Sequence, residues 1–179
     1  LEYFPHPKNW LDIASNDGTL LSFVPKDVYR VGVDPIKKLC AEAKQHADWI
    51  INGFFTSVPF QSYNGASGES SYDKFDVITS VSMFYDLDDP NAFIQEVKRV
   101  LADDGIWIIQ QNYLLTTLEL GAVDNFCHEH LEYYTLLSLQ PLLERHGLEI
   151  VGVETSMVNG GSLITAVAYK GIYTVGKSV

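Results

Sequence analysis

Short apolar runs alternate with stretches of helical periodicity along the 179-residue chain. The apolar runs, rich in β-branched and aromatic residues, predict strands at residues 10–14, 29–34, 48–51, 75–81 and 105–110. Apolar residues at helical spacing predict helices near residues 20–24, 36–45, 89–101 and 136–146. Asp89 is the predicted N-cap of the third helix, the Asp-Asp-Gly stretch at residues 103–105 is predicted to end it, and Gly147 is predicted to close the fourth at C′. The polar stretch 61–71 predicts a surface loop.

The last two predicted strands, residues 148–154 and 163–169, are separated only by the turn at residues 159–162. This short connection favours an antiparallel pair, whereas strands that alternate with helices form right-handed parallel units. The order predicts a Rossmann-like α/β fold with a mostly parallel sheet, an antiparallel edge hairpin and three αβα layers, in a single domain over residues 1–179. Ligands of such a sheet bind beyond the carboxyl ends of its strands.

The charge balance narrows the classes of partner. The chain holds 23 acidic and 12 basic residues, a formal net charge of −11. A field of that sign repels phosphate backbones and anionic lipids, so we expect no nucleic-acid and no membrane partner, while a small molecule stays open as a ligand. The chain has two cysteines, Cys40 and Cys127, which lie far apart with no second thiol beside either, and this excludes a disulfide framework or a four-cysteine zinc site within it. Without a signal peptide or a transmembrane-length apolar run, the expected location is the cytoplasm.

The loop after the first strand is the first candidate for ligand binding. Of the glycines that a dinucleotide-binding loop needs, only Gly18 is present, which disfavours a pyrophosphate. An acidic residue at the strand end, followed by small residues, suits a cationic or neutral cofactor head such as S-adenosylmethionine (SAM). The alternative is an ordinary turn capped by Asp17. The candidate cofactor-binding residues of this loop are Asp12, Ala14, Ser15, Asn16 and Gly18.

Three further strand ends extend the predicted cofactor site. Asp34 ends the second strand, where a carboxylate can accept both ribose hydroxyls of an adenosine. The alternative for Asp34 is a turn residue before a proline. Asn52 and Phe54 follow the third strand and would supply an amide and an aromatic wall for the adenine, although such a phenylalanine can equally belong to the core. Ser80, near the end of the fourth strand, completes the set.

A histidine pair marks a second candidate site. His128, Glu129 and His130 stand together, and histidine serves as a general acid or base near neutral pH. The two imidazoles would share a face only if the backbone is extended. Cys127, His128 and His130 are too crowded for usual zinc spacing, so we predict no metal. The alternative is a solvated loop with incidental histidines.

Three motifs in one order carry a resemblance to a known family. The loop at residues 11–21, the His-Glu-His-Leu-Glu-Tyr-Tyr run at 128–134 and the Gly-Gly-Ser-Leu turn at 160–163 resemble those of the SAM-dependent sugar C-methyltransferases, which methylate a carbon of nucleotide-linked keto-deoxysugars. The similarity covers roughly residues 10–170. It implies a class I methyltransferase fold, SAM as cofactor with S-adenosylhomocysteine (SAH) as product, and a nucleotide-linked sugar as acceptor.

The resemblance also implies a role for each residue of the histidine run. His130 matches the family's proposed base, which removes a proton from the carbon beside the ketone. The enolate then attacks the sulfonium methyl, and His128 and Glu129 position the sugar or stabilise the enolate oxygen. Two other readings stay open: a SAM-dependent O- or N-methyltransferase of another small molecule, and a degenerate domain that binds SAM without turnover.

The chain departs from the family pattern at several positions. Cys127 stands where the family usually has a tyrosine credited with substrate contact, and Ile164 stands in place of an arginine. Asp12 and Ala14 replace the usual glutamate and glycine. The family also has a cysteine-rich zinc segment before this domain and an α/β domain after it, so these 179 residues correspond to its SAM-binding core.

Overall fold

The computed structural model describes residues 6–64 and 69–176 of the chain. The strands are β1 Asn9–Ile13, β2 Tyr29–Asp34, β3 Trp49–Asn52, β4 Gln61–Asn64, β5 Glu69–Tyr72, β6 Phe75–Val81, β7 Leu101–Asn112, β8 Leu148–Ser156 and β9 Ser162–Tyr169. The helices are α1 Thr19–Ser22, α2 Lys37–Ala43, α3 Pro90–Val100, α4 Leu114–Leu120 and α5 Leu136–Glu144. The predicted alternation of strands and helices is therefore present.

Seven of these strands form one sheet in the order β3-β2-β1-β6-β7-β9-β8. β1 pairs with β2, and β2 with β3, in parallel register. β9 pairs antiparallel with both β7 and β8. The reversal of order beside β1 is the point at which ligands bind in doubly wound sheets. The predicted α/β fold, mostly parallel with an antiparallel edge, is confirmed.

By its contacts the chain divides into two compact units. The first unit is Leu1–Thr79 with Gln95–Ile106, and the second is Ser80–Ile94 with Trp107–Val179. The largest fully buried side chains of the first unit include Leu11, Ile13, Leu21, Phe60 and Ile78. Those of the second unit include Phe84, Trp107, Ile109, Leu139 and Leu143. The single domain over residues 1–179 stays a prediction.

The helix ends follow the predicted local chemistry closely. The Asp89 side chain accepts the N–H of Ala92 at 3.0 Å, the bond expected of an N-cap. Gly147 has a left-handed φ of 72°, and its N–H donates to the Glu144 carbonyl at 2.9 Å. Because α5 ends at Glu144 with Arg145 as its C-cap, Gly147 occupies C″, one position later than the C′ position predicted for it. Both signals nevertheless placed the helix ends within two residues.

Two predicted boundaries are wrong. The stretch 61–71 is not a plain loop, because β4 and β5 pair antiparallel there with Gln61 opposite Tyr72; residues 65–68 lie outside the described part. β7 begins at Leu101 instead of residue 105, so it includes two exposed aspartates. A Cβ on Gly105 would stand 2.8 Å from the Phe75 carbonyl oxygen, so this glycine allows a close approach inside a strand instead of ending a helix.

Among the described residues, no helix is both long enough and apolar enough to cross a membrane.

Candidate functional site

The loop that follows β1 is held in a strained conformation. Ala14 and Asn16 have left-handed φ angles of 59° and 50°, and Gly18 has a φ of 81°. A left-handed conformation costs a non-glycine residue about 1–2 kcal/mol. The loop is tied to β2 by a hydrogen bond from the Ser15 N–H to the Val33 carbonyl at 3.1 Å. The left-handed φ of Ala14 gives a physical reason for glycine at the matching position of the family.

Asp34 organises the loop from the end of β2. Its side chain is 3% exposed. One carboxylate oxygen accepts the Asn16 N–H at 3.0 Å and the other accepts the Ile36 N–H at 2.8 Å. Each oxygen of an ionised carboxylate can accept a second hydrogen bond, so Asp34 keeps acceptor capacity for a hydroxyl group.

Asp12 lies buried at the end of β1 within a chain of hydrogen bonds. The indole N–H of Trp10 donates to the Thr79 hydroxyl at 3.1 Å, and that hydroxyl donates to the Asp12 carboxyl at 2.6 Å. Burial raises the pKa of Asp12 to about 7, against the lowering effect of the Thr79 bond, and the charge of Asp34 adds to the rise. Asp12 therefore changes its charge near neutral pH.

The structure brings Asn52 to the same strand ends. Its side-chain amide donates to the carbonyls of Asp34 at 3.1 Å and Pro35 at 3.0 Å. Phe54 is 85% exposed, as an aromatic wall for a ligand would be, and so does not belong to the core. Ser80, by contrast, belongs to the second unit and is fully buried, where its hydroxyl accepts the Trp107 indole N–H at 3.0 Å. Its predicted contact with the cofactor stays a prediction.

In the second unit, the histidine run forms a tight turn and is not extended. The His130 N–H donates to the Cys127 carbonyl at 3.3 Å, which closes a turn of four residues. His128 and Glu129 occupy its exposed corner, while His130 is half-buried. The extended backbone that would put both imidazoles on one face is therefore not present at these two residues.

The hydrogen bond of His130 fixes its tautomer. Its Nδ1 lies 2.8 Å from the backbone carbonyl oxygen of Asn125. A carbonyl oxygen only accepts, so Nδ1 bears the proton and Nε2 of the neutral ring has a free lone pair. The ring packs against Tyr85, with centroids 4.5 Å apart, and lies 6.4 Å from the ring of Tyr133. A neutral imidazole held in this way is a suitable base at Nε2.

Asn125 is itself held by side-chain hydrogen bonds on both sides. The oxygen of its side-chain amide, Oδ1, accepts a hydrogen bond from Asn112 Nδ2 at 3.3 Å. The nitrogen of the same amide, Nδ2, donates to the Thr117 hydroxyl at 3.0 Å. Thr117 lies on α4, a helix that the sequence analysis missed. A signal for it exists in Gly121, the left-handed C-cap that follows an apolar run.

Asp86 adds a carboxylate near the His130 turn. Burial raises the pKa of Asp86, the positive charge of His130 lowers it, and the charge of Glu129 raises it. Tyr134, the last residue of the predicted motif, is buried with its ring centroid 5.4 Å from that of Phe84. Burial raises the pKa of Tyr134 to about 12, so it remains neutral and belongs to the core.

Comparison with known proteins shows the family of this chain. The chain matches the family described as a methyltransferase domain over residues 1–153. The chain belongs to this family. It is therefore a SAM-dependent methyltransferase domain, and the predicted enzyme class and cofactor are confirmed.

Relatives of this methyltransferase domain were found among curated proteins and solved structures. The C-methyltransferase NovU of Streptomyces niveus is 30% identical over 159 residues, which cover 88% of this chain and 37% of NovU. A chain of the complex between the Haloferax volcanii Trm112 methyltransferase activator and a methyltransferase matches with a TM-score of 0.70 at 15% identity, covering 90% of this chain and 83% of that one. The plantazolicin methyltransferase BpumL, solved with a triazolic desmethylPZN analogue and SAH, matches with a TM-score of 0.67 at 15% identity, covering 93% and 80%. At these identities the two structures show a shared fold, and the chain spans little more than a third of NovU.

The loop of this methyltransferase domain suits SAM in its donor set. The Ser15 hydroxyl is buried without a hydrogen-bond partner, so one polar group of the loop is left for a ligand. Asp12 and Asp34 supply carboxyl groups, which match the cationic and hydroxyl groups of SAM. Gly32 lies directly under the loop, because a Cβ there would stand 2.6 Å from the Ser15 Oγ atom. The loop therefore packs directly against the backbone of β2 at Gly32, where no side chain intervenes.

Replacing Gly32 by alanine is expected to lower the free energy of unfolding by about 1–3 kcal/mol and to weaken SAH binding. The new Cβ would stand 2.6 Å from Ser15 Oγ and 2.7 Å from the Ile50 Cδ1 atom, so the loop must shift. Urea unfolding and calorimetric titration with SAH measure the two effects. Gly53→Ala is the matched control, since nothing lies within 4 Å of its Cβ. Equal values for the two variants would contradict a close fit at Gly32.

A cavity of about 290 Å³ lies at the opposite, amino-terminal edge of the parallel strands in the first unit. It is lined by Asn9, Tyr29, Trp49, Asp73, Lys74 and Phe75. Ligands of this fold bind at the carboxyl ends of the strands, so the cavity is not the cofactor site. Within the described ranges, no group of three or more His, Cys, Asp or Glu side chains is placed to hold a metal ion.

Sequence reasoning missed three residues around His130. Tyr85, Asp86 and Asn125 come from 3₁₀ turns and have no motif of their own. Their relation to His130 arises from packing and from a backbone carbonyl, which leave no pattern in the sequence. The predicted cofactor residues of the first unit were easier to find, because they follow strand ends.

Proposed function

We propose that this domain transfers the methyl group of SAM to the carbon beside the ketone of a nucleotide-linked keto-deoxysugar. The observation that carries the proposal is the hydrogen bond from His130 Nδ1 to the Asn125 carbonyl, because it leaves Nε2 as a base. The three motifs of the sugar C-methyltransferases, and 30% identity to a protein named as a C-methyltransferase, support carbon as the acceptor atom.

Residues of the first unit would hold the cofactor. The Ser15 hydroxyl, which has no partner within the protein, would contact its amino-acid part, while Asp34 would accept the ribose hydroxyls. Asn52 and Phe54 would border the adenine, for which Phe54 offers an exposed aromatic face. Bound SAM supplies a methyl group on a positively charged sulfur, which a carbon nucleophile can attack.

His130 would start the reaction by taking a proton. Its Nε2 accepts the proton from the carbon beside the ketone, and the electrons of that C–H bond form the enolate. The enolate carbon then forms its bond to the methyl group as the bond from methyl to sulfur breaks, so SAH leaves and the ketone is restored. The imidazolium formed on His130 would be stabilised by the carboxylate of Asp86, whose charge interacts with that of His130. His128 and Glu129, which are exposed, would contact the sugar.

The product of the reaction tests this proposal. The chain is incubated with SAM labelled with ¹³C at the methyl group and a panel of nucleoside-diphosphate keto-deoxysugars. We expect a ¹³C methyl signal coupled to a ring carbon of one sugar. A methyl signal on oxygen or nitrogen, or no transfer to any of the panel, would overturn it.

A second measurement isolates the proton transfer. With SAH in place of SAM and in D₂O, His130 should exchange the hydrogen beside the ketone for deuterium without forming any methylated product. Mass spectrometry of the recovered sugar detects this exchange. Methyl transfer without such exchange in the wild-type protein would count against an enolate.

A further inference from the structure

The Gly160-Gly161-Ser162 turn, one of the three sequence motifs, is built to approach α4. A Cβ on Gly161 would stand 2.2 Å from the Thr116 Cγ2 atom, so only glycine fits there. The Gly161 carbonyl accepts the Tyr113 N–H at 3.2 Å. The turn is thereby fixed to the start of the helix that holds Asn125 through Thr117.

Ser162 continues this support as a chain of side-chain hydrogen bonds. Its hydroxyl donates to the Val158 carbonyl at 2.8 Å and accepts the Gln110 Nε2–H at 2.7 Å. The other end of the same amide, Gln110 Oε1, accepts the Ser82 hydroxyl at 2.8 Å. Because both ends of the amide are bonded, its orientation is fixed across the ends of β6, β7 and β9.

Ser82 links the chain to the ring that holds His130. It has a left-handed φ of 53°, a strained conformation for serine, and its N–H donates to the Gln110 carbonyl at 2.9 Å. Tyr85 follows shortly after Ser82 in the sequence, within the 3₁₀ turn Phe84–Asp86. Tyr85 is 7% exposed, and its ring centroid lies 4.5 Å from that of His130. The hydrogen-bonded side chains therefore fix the backbone that leads directly into the turn whose tyrosine packs against the His130 imidazole.

We propose that Ser82, Gln110 and Ser162 are positioning residues for His130, so that the glycine–serine turn serves to orient the base. This rests on the proposed role of His130. The bond from Nδ1 to the Asn125 carbonyl sets the tautomer but allows the ring to swing about it. The Tyr85 ring limits that swing, and the Ser82–Gln110–Ser162 chain fixes the backbone that leads to Tyr85.

Nitrogen NMR of the whole chain tests the proposal without any acceptor. Long-range ¹H–¹⁵N spectra report which imidazole nitrogen bears the proton, and His130 of the wild type should show a single Nδ1–H form. In Ser162→Ala and Ser82→Gly, the His130 nitrogens should shift towards averaged values. Glycine suits the φ of 53° at residue 82, so this second variant removes the hydroxyl and relieves strain.

Ser156→Ala is the matched control. Ser156 lies opposite Ser162 in the β8–β9 pairing, and its hydroxyl accepts the Val158 N–H at 3.3 Å, so it contacts the same turn without joining the chain. Its His130 spectrum should equal that of the wild type. With the keto-sugar as acceptor, Ser162→Ala and Ser82→Gly should each lower kcat about 10- to 100-fold and leave the affinity for SAH unchanged.

The outcomes separate this inference from the proposed function. Wild-type nitrogen shifts for His130 in both Ser162→Ala and Ser82→Gly would overturn the positioning role, whatever the acceptor proves to be. Shifted nitrogens in those variants together with methyl transfer to oxygen or nitrogen would support the positioning role while refuting the carbon acceptor.

Discussion

Replacing His130 by alanine is expected to slow methyl transfer about 10²- to 10⁴-fold while SAH affinity remains that of the wild type. The loss is large because a carbon beside a ketone releases its proton slowly without a positioned base. Apart from Ser80, the predicted cofactor residues belong to the first unit and His130 to the second, so we expect the cofactor contacts to stay intact. Steady-state kinetics with labelled SAM and calorimetry with SAH measure the two quantities.

His6→Ala is the control for this variant, since His6 is an exposed histidine of the first unit. It should retain both rate and affinity. A rate for His130→Ala within a factor of three or so of the wild type would show that another group takes the proton. Loss of SAH binding would show that His130 serves the cofactor instead.

Replacing Asp12 by asparagine is expected to stabilise the protein by up to about 4 kcal/mol at pH 8, with the gain disappearing towards pH 4. Burial raises the pKa of Asp12 to about 7, so ionising it in the folded state is costly. Asparagine keeps an oxygen that can accept the Thr79 hydroxyl and has no charge to bury. Urea unfolding of both proteins at several pH values gives the difference.

The sign follows from proton binding in the two states. Between a pKa of about 4 in the unfolded chain and about 7 in the folded one, the folded state holds a proton on Asp12 that the unfolded state has lost. The Asp12 contribution to the free energy of unfolding is therefore fully present below pH 4. It falls by about 1.4 kcal/mol per pH unit as the pH rises to 7, and is constant above.

Asp27→Asn, which removes the carboxyl group of an exposed aspartate of the same unit, is the control for the exchange of Asp for Asn. An Asp12→Asn difference that is flat over this range, or that shrinks as the pH rises, would refute the raised pKa. Subtracting the wild-type curve removes the effect of other titrating groups, since both proteins share them.

The sequence grouped the strand-end residues Asp12 and Asp34 more easily than it distinguished His128 from His130. The loop follows a strand end, and in a parallel sheet strand ends meet at one edge, so Asp12 and Asp34 could be grouped from periodicity alone. His128 and His130 looked equivalent in the sequence. The turn from Cys127 to His130 separates them, leaving His128 exposed and His130 half-buried.

The two wrong predictions about strand boundaries each have a physical cause. The polar residues of 61–71 gave no strand signal, because pairing of β4 with β5 uses backbone groups that every residue possesses. Gly105 was predicted to end a helix, but it lies inside a strand. A side chain is excluded there because its Cβ would be too close to the Phe75 carbonyl oxygen. Neither contact can be seen from neighbouring residues.

By itself the sequence determined the main alternation of strands and helices and the α/β class, and it singled out the loop after β1 and the histidine run as candidates. These depend on hydrophobic period and turn chemistry, which act over a few residues. Only the tertiary structure decided the pKa of Asp12, the tautomer of His130 and the hydrogen bonds that join Ser82, Gln110 and Ser162. Asp12 and Thr79 are 67 positions apart, and Ser82 and Gln110 are 28 apart. Hydrogen bonds over such separations exist only once the sheet has formed, and they set which groups bear protons.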